Sequence, residues 1–86
     1  MAEWTQEEAI AYECAGECIT DMMAIYSGQI DDENRKEKPD ADRLATLRAE
    51  RSKLAQERAA LHVHDHADIA RIRAEYGAII RARRGA

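Results

Sequence analysis

The chain has 86 residues, a formal net charge of −4, 35% charged side chains, no Phe, one Pro and four Gly. Its size fits one small helical domain, 1–86, that buries only about 60% of its unfolded surface. That leaves no room for a deep catalytic pocket, and the acidic balance argues against a surface devoted to nucleic acid.

The net charge conceals an asymmetry. Residues 1–33 hold nine acids and no Lys or Arg, whereas residues 34–86 hold all 13 Lys and Arg against eight acids. An acidic and a basic segment in one short chain are expected to pack on each other. No apolar run approaches the roughly 20 residues of a membrane span. Met1 to Thr5 have neither the basic nor the apolar region of a secretion signal. Cys14 and Cys18 stand i,i+4 on a helical pattern, a geometry that does not favour a bridge between them. They are expected as free thiols, with no membrane partner and a cytoplasmic location.

The first element opens at Trp4-Thr5-Gln6-Glu7-Glu8. Thr5 can cap a helix, Glu8 completes a capping box, and Trp4 can staple onto Ala9. Two overlapping stripes follow at 3–4 spacing. Ala11, Cys14, Cys18, Met22 and Ile25 form one; Tyr12, Ala15, Ile19, Met22 or Met23, and Tyr26 form the other. Together they are wider than a single neighbour needs, so this helix is expected to be contacted on two sides. Gly16 inside it costs about 1 kcal/mol relative to alanine and suits a close approach. Gly28 could close the helix, but Ile30 continues the stripe to about Glu33.

Asn34 to Lys38 has no apolar residue and reads as the turn. Pro39 fits the first helical position, with Asp40 and Asp42 in the first turn. Leu47, Leu54 and Leu61 then fall seven apart, with Leu44 three before Leu47. The companion heptad positions are Arg51, Arg58 and Asp65, which excludes a clean leucine zipper. Past Leu61 the register slips, and Ile69, Ile72, Tyr76, Ile79 and Ile80 carry the stripe onward.

The all-α fold is thus read as a long antiparallel hairpin with helices at about 5–33 and 39–83. At 1.5 Å per residue the second helix outruns the first by about 20 Å, and its apolar overhang needs a cover. A second copy supplies it in the favoured reading, which makes a homodimeric four-helix bundle. A three-helix bundle broken near His64-Asp65 is the alternative.

No Ser/His/Asp or Cys/His constellation and no glycine-rich phosphate loop is present, so no enzyme is expected. The expected function is a small protein-binding module: an adaptor, inhibitor or regulatory subunit. Its contact residues are Ala11, Cys14, Ala15, Cys18 and Met22 on the first helix and Ile69, Ile72, Tyr76, Ile79 and Ile80 on the second. A nucleic-acid-associated regulator would instead use Arg71, Arg73, Arg81, Arg83 and Arg84. A metal-stabilised domain would use Cys14, Cys18, His62 and His66, whose i,i+4 pairs suit zinc, although across the hairpin they fall out of step. No other cofactor is implied.

Overall fold

The computed structural model describes residues 3–85. Three helices make up the chain: α1 (Gln6–Asn34), α2 (Ala41–Ala60) and α3 (His66–Arg84). α1 starts as its sequence dictates. The Thr5 hydroxyl accepts from the Glu8 amide (3.1 Å) and the Glu8 carboxylate accepts from the Thr5 amide (2.9 Å), closing the capping box. The helix runs straight through Gly28 and ends at Asn34.

The turn that follows is organised by Glu33, which is 2% exposed. Its carboxylate accepts from Lys36 Nζ (2.9 Å) and the Asp40 amide (3.0 Å), and Arg43 Nε lies 3.3 Å away. Burying a carboxylate is tolerable only with such partners. They hold its pKa below the ordinary glutamate range, the Asp40 amide most of all. Pro39 precedes the next helix instead of opening it. The residue that caps α2 is Asp40, whose side chain accepts from the amides of Asp42 and Arg43.

The expected continuous second helix is not formed. The backbone turns extended at Leu61. Asp65 Oδ2 then accepts from the His62 amide (2.9 Å), and the Asp65 amide donates back to the His62 carbonyl (3.0 Å). That reverse turn starts α3, which runs back along α1. Asp65 occupies the cap position of α3, but its side chain serves the loop and makes no capping bond. The cause of the break is burial. On a straight helix of a single copy Ile69, Ile72 and Ile80 would lie in water, and here they join Ala15, Ile19, Met22, Leu54 and Leu61 in one core.

α1 is therefore the common partner. Its close backbone neighbours are α2 on one side and α3 on the other, as the width of its apolar face implies. α2 and α3 meet through long side chains. Glu57 accepts from Arg71 (3.0 Å) and from the Tyr76 hydroxyl (2.7 Å). Burial, and next the bond to Glu57, raise the Tyr76 pKa; Glu57, followed by Tyr76, holds the Arg71 proton more tightly.

The arginines at heptad positions also find their reason. Arg51 donates to Ser27 Oγ (3.1 Å), and Arg58 Nε lies 3.4 Å from the Gly16 carbonyl. Each long side chain crosses α1 where α1 carries a small residue. Beyond Tyr26 a second cluster, Ile30 with Leu44 and Leu47, belongs to α1 and α2 alone. The molecule measures 56 × 28 × 18 Å. Its radius of gyration of 15.4 Å exceeds the about 12 Å expected of a compact chain this long. Among the described residues no helix is long and apolar enough to cross a membrane.

Candidate functional site: a cleft at the start of the first helix

Most of the expected contact residues are spent inside the chain. Ala15, Met22, Ile69, Ile72 and Ile80 are buried in its own core, and Ala11, Cys18 and Tyr76 pack against that core. Cys14 is half-buried. Ile79 alone of the ten is exposed, at 45%. The reason is the turn at residues 61–65, which lays α3 against the α1 face that the sequence assigns to a partner.

The expected zinc ligands are not assembled. Among the described residues no group of three or more His, Cys, Asp or Glu side chains is arranged to hold a metal ion. His66 Nε2 instead lies 2.6 Å from Glu8 Oε2. The Thr5 amide first, and His66 second, keep the Glu8 pKa below its ordinary value. Burial, and then the neighbouring Cys14, raise the Cys18 thiol pKa, so Cys18 is less of a thiolate than a free cysteine.

The arginines divide. Arg71 is engaged by Glu57, Asp68 and Glu75, and Arg84 reaches Asp21 at 3.7 Å. Arg73, Arg81 and Arg83 are exposed and have no ion pair among the described residues.

The concave surface lies elsewhere. Two adjoining clefts, about 340 and 280 Å³, run along the α2 side of α1 and share Tyr12, Glu13 and Leu61. Trp4, Ala9, His62 and Val63 complete the larger one; Gly16, Glu17 and Arg58 complete the other. From Trp4 to Glu17 the groove extends about 20 Å.

Three local structures build it. The capping box fixes the start of α1, which places Trp4 just outside the helix and beside Ala9. His64 Nε2 donates to the Glu3 carbonyl (3.1 Å), tying the segment before α1 to the α2–α3 turn. That turn brings His62 and Val63 to the mouth of the cleft. Gly16 leaves the floor open at the other end, where Arg58 lies across it.

The edge of the groove is acidic. Glu13 and Glu17 are exposed and have no ion-pair partner among the described residues; Arg58, in the same cleft, is directed to the Gly16 carbonyl. Two like charges one helical turn apart cost the helix a few tenths of a kcal/mol. A groove lined by aromatic side chains, whose edge carries two carboxylates against one guanidinium, can bind an apolar side chain flanked by positive charge. No protein-family model, curated protein or solved structure matches this chain.

The sequence signals Trp4, ahead of a capping box, with Ala9 as its staple partner, Tyr12 within a stripe, Gly16 as a site of close approach, Arg58 and Leu61 at heptad positions, and His62 as a metal candidate, but none of them as part of a groove. Glu13 and Glu17 read as solvent face. Leu61 and Val63 join the groove only because the chain turns there.

Proposed function

We propose that this chain is a small helical protein-binding module without catalysis, and that the Trp4–Tyr12–Val63 cleft receives an apolar side chain of its partner. One observation carries the reading: the only tryptophan of the chain is 46% exposed at the edge of a groove. Beside a cleft, an aromatic ring offers a partner a large apolar area to cover and an indole N–H to bond. Selection of a random dodecamer peptide library on the full chain tests this. Enriched peptides should shift the Trp4 fluorescence and bind Trp4→Ala at least about tenfold more weakly, a difference of about 1.4 kcal/mol. Ligands that bind Trp4→Ala unchanged would overturn it.

A homodimer belongs to the same proposal in altered form. The apolar overhang that called for a second copy is covered by α1, and of that strip Ile79 alone is left to join two chains. Light scattering of the wild type and of Ile79→Asp checks it: a dimer that persists in the variant does not use this surface. A second reading, binding of nucleic-acid backbone, rests on exposed Arg73, Arg81 and Arg83. Salt-sensitive retardation of RNA or DNA, lost in Arg81→Glu with Arg83→Glu, would support it.

A further inference from the structure

We infer that the occupant of the cleft is a basic segment of a partner protein: an apolar anchor followed by two Lys or Arg about 6 Å apart. The inference rests on the cleft reading above and adds the charge of the partner.

Trp4, Tyr12 and Val63 make one end of the groove apolar. Glu13, shared by both ends, and Glu17, at the far end, set two carboxylates against one cation, Arg58, which is directed to the Gly16 carbonyl; neither acid has an ion pair among the described residues. Residues one helical turn apart on one face stand about 5–6 Å from each other. Two cations at i,i+4 of a helix, or at i,i+2 of a strand, match that spacing. The net charge of the chain, −4, has the same sign. A basic segment is therefore steered to this face before contact and an acidic one is repelled. The Tyr12 ring in the groove floor offers a cation a further attractive surface.

The test uses the full chain, the random dodecamer library above, and Trp4 as reporter. Enriched peptides should carry paired Lys or Arg beside an aliphatic or aromatic residue and weaken as salt rises. Glu13→Lys combined with Glu17→Lys should reduce their binding at least about tenfold with little change in Tm, since both residues are exposed. The same variant should gain affinity for a copy of the peptide with Glu in place of Lys and Arg. Neutral or acidic enriched peptides would overturn the inference, as would equal binding to the charge-reversed variant. Peptides that bind that variant normally but fail on Trp4→Ala would sink the charge argument and leave the cleft reading standing. Failure of any peptide to enrich would sink both. Spermidine alone displacing the peptides at equal concentration would also overturn it, by showing that charge without an anchor suffices.

Discussion

From Glu8 to Ile25, α1 has α3 on one flank and, on the other, the 61–65 turn followed by α2; beyond Tyr26 its packing partner is α2 alone. The first region, the body, encloses Ile19 and Ile72 completely, and eight buried residues share its core. The second, the tip, rests on Ile30, Leu44 and Leu47, with buried Glu33 clasping the turn. Three helices enclose apolar side chains completely, as at Ile19 and Ile72, whereas each apolar residue of the two-helix tip keeps some exposure. The tip compensates with a polar clasp: a carboxylate gathers a lysine, an arginine and a backbone amide where α3 does not reach.

The same type of truncation should therefore cost different amounts in the two regions. Ile72→Ala should lose about 2–5 kcal/mol toward the upper end, enough to threaten folding of so small a chain, as read from urea or thermal unfolding. Leu47→Ala should fall near the lower end of that range, because neighbours in a two-helix layer can close over the gap. Equal losses would dissolve the distinction. Amide exchange should order the regions the same way, with α2 near Leu44 and Leu47 exchanging before α1 near Ile19.

Glu33→Gln comes next. It should lower Tm and speed exchange around residues 33–43, leaving α3 protected. The pH dependence has a definite sign. Glu33 and Glu8 are held below the ordinary glutamate range when folded, so the unfolded chain takes up protons first as pH falls. Their stabilisation is complete above about pH 4.3 and is lost below it as the folded carboxylates protonate. Glu33→Gln should flatten that acid loss, which a Tm series from neutral to acidic pH would register. The smallest effect runs the other way. Gly28 is exposed within α1, and a methyl group there would meet nothing within 4 Å. Gly28→Ala should therefore add about 0.5–1 kcal/mol, and any loss would mean that the face around residue 28 is occupied.

The ends of α1 and the polar turn were legible because their signals are local. Thr5 and Glu8 cap each other within four residues, and the run from Asn34 to Lys38 offers nothing apolar to bury. The break at 61–65 was legible only as one of two options. Nothing within His62-Val63-His64-Asp65 forbids a helix; burial of Ile69, Ile72 and Ile80 against α1, far away in sequence, decides the matter. Glu33 was missed because an acid near a helix end ordinarily faces water. The cleft was missed because the segment before α1, α1 itself, α2 and the α2–α3 turn each contribute part of it.

The reach of the tip beyond α3 governs how the molecule moves through solvent. A body of 56 × 28 × 18 Å tumbles as a short rod, slowly end over end and faster about its long axis. Its accessible surface of 6190 Å² is roughly 1,000 Å² above that of a compact monomer of this mass, so it drags more water than a sphere would. A single copy should leave a sizing column early, at the position of a heavier sphere. Amide relaxation should vary with bond direction: N–H vectors along α1 and those in the turn at residues 35–40 should report different correlation times.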